Sequence, residues 1–318
     1  MDKLFNLIRN ENMKIYKRPR TWIMLGVLII VVALQLFITH RYIAQPPEGV
    51  DWKQEMTQQT QMMKQNLAEN PDIDEDWRKH QEAQIKMNEY NIEHNIAPFD
   101  FTAWKFAEEA SGLVFLVTLF TVVVAGDSVA TEFGWGTIKM LLVRPVSRTK
   151  ILYSKYVSTL IYALLLLVTL LVVSFVLGGL VFGFSGVEQP FLYVDQSGDV
   201  QQMNMASKVL MTFGLQAVTS LIIVTIAFMI SASFRSSSLA ISLSIFVMFA
   251  GTLVVQILAR YEWVKYILFA NIDLSMYFTG MPVIEGMTLT FSIIVLAIYF
   301  VAMHAIAWLM FTKRDVAA

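Results

Sequence analysis

Cysteine is absent from this 318-residue chain, which excludes disulfides, a thiolate nucleophile and any cysteine metal site. Charge is scarce as well: Asp, Glu, Lys and Arg make up 15% of the residues, against about 25% in a soluble domain. The sequence has no HExxH zinc motif, no GxSxG nucleophile elbow and no His and carboxylate cluster at ligand spacing, which removes the commonest hydrolase readings. His80 and His94 stand 14 positions apart among solvated acids, a poor arrangement for a metal. Gly134-Trp135-Gly136-Thr137 is too short for a GxxxxGK[ST] phosphate loop and has no lysine where one is needed. No fixed-period repeat or low-complexity tract is present.

What the chain has instead is apolar length. Hydrophobic residues reach 56%, and six continuous runs, 22–39, 110–126, 157–184, 209–234, 239–258 and 287–311, suit the roughly 17–25 residues a helix needs to cross a bilayer. Continuous runs favour helices over the alternating strands of a membrane barrel. The expected fold is an all-α polytopic membrane protein. Its expected divisions are an interfacial helix (1–20), spans at 21–40, 110–126, 156–184, 208–234, 239–258 and 287–311, an extracellular helical hairpin (41–109), a cytoplasmic coupling segment (127–155) and a second outer segment (259–286). The six runs contain no Asp, Glu, Lys or Arg, and His304 is their one group that titrates near neutrality. Ion-coupled carriers usually hold their ion with intramembrane carboxylates or broken helices, so that class is disfavoured. His304 reads more readily as a packed residue than as a proton relay.

Charge asymmetry orients the chain. With the N-terminus inside, the inner segments hold 14 Lys and Arg against five acids, and the outer segments 10 against 20. Both termini are therefore expected in the cytoplasm, and the cysteine-free chain fits a bacterial plasma (inner) membrane. The first run is too long for a signal peptide's apolar region and no small-residue cleavage site follows it.

Leu4, Leu7, Ile8 and Ile15 share one face of a basic N-terminal helix, which suggests a helix lying in the inner interface with its apolar side chains in lipid. Pro19 should end it. In 41–109, Trp52, Met56, Met63 and Leu67 recur at helical spacing before Asn70-Pro71-Asp72, and Ile85, Ile92 and Ile96 after it, which predicts two amphipathic arms packed antiparallel. The segment 259–286 is aromatic but interrupted by Glu262, Lys265, Asp273, Gly280 and Pro282, which suits short interfacial or re-entrant helices.

The densest chemistry lies in 131–150, TEFGWGTIKMLLVRPVSRTK. The ordered series Glu132, Phe133, Gly134, Gly136, Thr137, Lys139, Leu141, Arg144, Pro145, Ser147, Arg148 resembles the signature loop of ABC-2 type transporter permeases, and the order of six spans around it resembles that family too. The resemblance implies a coupling helix seated in a groove of an ABC ATPase subunit, with ATP and Mg bound by that partner and no cofactor or catalytic residue in this chain. It also implies a second permease copy, identical or paralogous, and no nucleic acid. Glu132 near the start and Arg144 and Arg148 near the end would match a helix dipole, and Gly134 and Gly136 would allow close approach to a partner. Met140, Leu141 and Leu142 suit either a groove or the underside of the spans. An exporter of a hydrophobic or amphipathic substrate, such as an antimicrobial peptide or drug, is the leading functional expectation. A mechanotransmission or signalling subunit that passes no substrate is the alternative.

Overall fold

The computed structural model describes residues 2–44, 51–70, 75–97, 101–137, 146–185, 190–194, 200–279, 284 and 286–313. Six helices among them are long and apolar enough to span a membrane: Pro19–Ile43, Ala103–Gly134, Arg148–Phe182, Met205–Ser233, Ser237–Leu258 and Leu289–Thr312. They are the first to sixth spans below. In the second and fourth spans 61% and 50% of the apolar window is buried, against 22% or less elsewhere. Those two form the centre, and the other four surround them.

Local chemistry sets the helix starts. The N-terminal helix Asp2–Tyr16 stops short of Pro19, which occupies the first position of the next helix, where a missing N–H is harmless. Ser147, Asn204, Ser236 and Thr288 cap the third to sixth spans, each accepting a backbone N–H through its side-chain oxygen. Small residues then let the helices close. A Cβ on Gly126 would lie 3.1 Å from the Ile241 Cα, so the second and fifth spans touch at backbone level there. Thr118 and Ser220 share a hydrogen bond of 2.5 Å between the second and fourth spans.

The second span is three pieces, Ala103–Ala110, the 3-10 turn Ser111–Leu113 with Val114–Ser128, and Ala130–Gly134. At the break between the last two, the N–H groups of Val129 and Ala130 both donate to Ser231 Oγ of the fourth span, at 3.1 Å each. Ser231 is fully buried, so a side chain from a neighbouring helix supplies the acceptor that the interrupted ladder lacks.

The polar excursion after the first span is a pair of helices, Trp52–Glu69 and Glu75–His94. Its seam is mixed: Ile85 is buried beside Thr60 and Asn88, whose amide donates to Thr60 Oγ1 at 3.3 Å. After the fifth span come 3-10 turns at Glu262–Tyr266 and Leu268–Ala270 and a short helix, Met276–Thr279. Asn271 anchors them: its amide donates to the carbonyls of Lys265 and Ile267, and its Oδ1 accepts from Ser292 of the sixth span at 2.7 Å.

Several expectations need correction. The all-α reading missed a two-stranded antiparallel ribbon, β1 (Pro190–Val194) and β2 (Val200–Asn204), between the third and fourth spans; periodicity carries little signal in strands of five residues. The second span begins at Ala103 rather than 110, and the third at Arg148 rather than 156. Both runs had been cut at their charges. A helix continues past a charge when that charge finds a partner, and Asp127 and Lys155 are accordingly buried inside spans. Lys208, also buried, sits 4.5 Å from the ring of Phe191 on β1. The apolar stripe of the N-terminal helix faces protein in part: Ile15 packs into the core of the first three spans, and Ser158 donates to the Ile8 carbonyl at 3.1 Å. Pro71, Asp72, Gly280 and Pro282 lie outside the described residues.

Ser231→Ala should lower the free energy of unfolding in detergent by about 1–3 kcal/mol, the cost of buried donors left without an acceptor. Its thermal midpoint should therefore fall, whereas Ser233→Ala, which removes only a local bond to the Met229 carbonyl, should leave the midpoint nearly unchanged.

Candidate functional site

Of the buried charged residues described, Glu11, Asp127 and Lys155 gather at one end of the bundle, where the N-terminal helix, the end of the second span and the start of the third converge. Lys155 lies about two turns into the third span, with a side chain 2% exposed. Its ammonium donates to Glu11 Oε2 at 2.8 Å and to Glu132 Oε1 at 3.0 Å. Lys14 donates to the same two residues, Glu11 Oε1 and Glu132 Oε1, at 2.8 Å each. Two lysines and two glutamates thus form a closed, electrically neutral ring that joins three elements. Thr137 Oγ1 donates to the remaining Glu132 oxygen. Burial alone would push the Lys14 pKa down, but hydrogen bonds and charge from Glu11 and Glu132 outweigh it, and the value rises above the ordinary 10.5.

Beside the ring lies a second cluster. Arg18 and Arg20, on either side of Pro19, both donate to Asp127 Oδ2, while Thr131 and Ser237 donate to Oδ1. This cluster ties the entry to the first span, the second span and the start of the fifth. A polar cavity of about 30 Å³ lies between the two clusters, lined by Glu11, Lys14, Arg18, Arg20, Glu132 and Lys155 among others, and has room for ordered water.

The structure divides the sequence-derived site residues. Glu132 turns inward, with a side chain 12% exposed, so it organises the segment instead of offering a free carboxylate to a partner. Phe133 packs against Phe311 edge to face at 6.3 Å. Gly134 lies against the Arg235 carbonyl, 3.4 Å from where a Cβ would be, and Gly136 has φ +70°, a conformation that favours glycine. Both glycines thus act within the chain. Ser147 caps the third span, and Arg148 Nη1 donates to the Thr312 carbonyl at 2.9 Å, a cation at the C-terminus of the sixth span. Ile138, Lys139, Met140, Leu141, Leu142, Arg144 and Pro145 lie outside the described residues. Leu4 is exposed and Leu7 and Ile8 half-buried on the N-terminal helix. His304 is packed among Tyr153, Tyr156 and Phe300, with its Nδ1 3.0 Å from the Phe300 carbonyl.

Sequence reasoning missed Glu11, Lys14, Arg18, Arg20, Asp127 and Lys155 as a unit. One signal was available: Glu11 and Lys14 fall on the same helical face as Ile8 and Ile15, and acids on an apolar stripe call for a partner. Trp135, 75% exposed beside Gly134, was also passed over. Among the described residues no group of three His, Asp or Glu could hold a metal.

Lys155→Met should destabilise the protein by roughly 3–5 kcal/mol, because it strands buried carboxylates. Lys64→Met, at an exposed pair with Glu89 of 2.5 Å, should cost less than about 1 kcal/mol; thermal unfolding in detergent compares them. Because the folded pKa of Lys14 is raised, its stabilisation is complete below the ordinary lysine value and fades as pH rises through the raised one. Between about pH 6 and 9 the difference in midpoint between wild type and Lys14→Met should therefore stay constant.

Known proteins resemble this sequence. A chain from Bacillus subtilis (strain 168), the uncharacterized protein YhcI, is 41% identical over 318 residues, covering 99% of this chain and all of that one. The uncharacterized membrane protein YdbK of the same organism is 31% identical over 205 residues, 63% of this chain and 78% of its own length. A family described as "Protein of unknown function (DUF2705)" matches residues 81–317, from the second hairpin helix through the sixth span. The chain is a multi-pass membrane protein that belongs to the DUF2705 family.

Proposed function

We propose that this chain is the transmembrane permease subunit of an ATP-binding cassette exporter. The single observation that carries the reading is the way Glu132 is held. It opens the segment whose residue order resembles the ABC-2 signature loop, and it is fastened through Lys14 and Lys155 to the N-terminal helix and the third span. A push on the segment 131–150 is thereby delivered to two other elements. The same segment continues into Arg148, which grips the end of the sixth span. A loop that served only as a solvated connection would need neither attachment.

In this reading a partner ATPase binds ATP and Mg, and the chain itself is not an enzyme. Two copies, or a paralogous pair, form the pathway. The termini and the charge clusters face the cytoplasm, the hairpin lies outside, and the membrane is the bacterial plasma membrane. The cargo is hydrophobic or amphipathic, in keeping with spans whose surroundings are apolar. A second reading, mechanotransmission without passage of substrate, draws support from the hairpin. Its Tyr90 hydroxyl accepts from Gln202 on β2, which links the hairpin to the start of the fourth span.

Tagged full-length protein purified from its native membrane should retain an ATP-binding cassette ATPase. Arg144→Ala with Trp135→Ala should reduce that retention at least about tenfold, the loss of one or two interface anchors, without a matching fall in thermal midpoint. An ATPase that never copurifies, or transport in vesicles that follows a proton or sodium gradient with no ATPase present, would overturn the proposal. Export that survives deletion of residues 51–96 would reject the second reading.

A further inference from the structure

The two charge clusters are not equally complete. In the ring, two lysines meet two glutamates and the charge closes to zero. In the neighbouring cluster two guanidiniums share one carboxylate oxygen of Asp127, and the other oxygen is already taken by Thr131 and Ser237. One positive charge is left over. Arg20 Nε is buried with no acceptor among the described residues. Two guanidiniums drawn to a single oxygen repel each other, and a buried donor without a partner is destabilising. The cluster is built to take one more anion.

Location says which anion. Arg18 and Arg20 border the first residues of a membrane-spanning helix, and their side chains are 34% and 33% exposed. They can therefore be reached from outside the fold. Trp22, 60% exposed, stands two residues on, with its indole N–H donating to the Tyr16 carbonyl at 2.9 Å. An exposed tryptophan at the start of a span marks the headgroup layer. Ile23 and Ile30, further along the first span, are also exposed and suit acyl chains. Arginine forks match a phosphate bidentately.

We propose that Arg18 and Arg20 form a binding site for the phosphodiester of an anionic phospholipid, phosphatidylglycerol in chemical class, at the mouth of the cavity beneath the N-terminal helix. Phosphate oxygens enter between the guanidiniums while the glycerol and acyl chains remain in the bilayer, along the exposed side of the first span. The bound lipid supplies the missing negative charge and fixes the N-terminal helix over the third span. This site is independent of whether an ATPase docks on 131–150.

The test uses full-length protein in detergent, loaded with dioleoylphosphatidylglycerol or dioleoylphosphatidylcholine, with bound lipid counted by native mass spectrometry. Wild type should retain one phosphatidylglycerol per chain about tenfold better than phosphatidylcholine, the factor expected of one charge-assisted contact. Arg18→Gln and Arg20→Gln should each lower that retention about tenfold. Lys17→Gln, an exposed cation next door, should leave it unchanged. Equal retention of the two lipids by wild type overturns the proposal, as does full retention by both arginine variants. Displacement of the lipid by millimolar inorganic phosphate would reassign the site to a soluble phosphate and overturn the lipid source. The wild-type arms decide even where a variant does not fold.

Discussion

A lysine buried in a membrane span must be neutralised, and the rest of this structure is arranged around that need. Lys155 is nearly inaccessible, and an uncompensated charge at such a depth would be prohibitive. Glu132 answers from the second span and Glu11 from the N-terminal helix. The consequence is mechanical. The N-terminal helix cannot lift from the third span, nor the end of the second span slide past it, without separating these paired charges. Lys14 closes the ring.

From that ring the connections reach every span. Arg20 leads through Asp127 to the first and fifth spans, Ser231 holds the break in the second span from the fourth, and Arg148 holds the sixth. The opposite end of the bundle is joined differently, through aromatic contacts such as Phe106 with Phe182 and through the Asn271 anchor. One end is joined by paired charges, and the other by aromatic packing together with the uncharged hydrogen bonds of Asn271.

Much of the fold was legible because apolar run length is a strong signal, and all six spans appear in the sequence. The boundaries were less legible, since a run ends at its first charge whereas the helix ends where its backbone loses partners. Asp127 and Lys155 fell into that gap. Pairing was least legible: Glu11 and Lys155 are 144 positions apart, and no local pattern announces their contact. Glu132 was singled out for its place in a motif, but its burial depends on Lys14 and Lys155 and could not be read locally. The ribbon Pro190–Asn204 was missed because each strand is only five residues long.

The absence of cysteine makes the decisive measurement clean, since labels can be placed without background. Met13→Cys and Trp135→Cys put spin labels on exposed positions of the N-terminal helix and of the segment after the second span. If the ring is the joint between them, pulsed electron resonance should give one narrow distance distribution, and adding Lys155→Met should broaden it or split it. A distribution that is already broad in the parent, or one unchanged by Lys155→Met, would contradict the claim that this buried lysine couples the segment to the N-terminal helix.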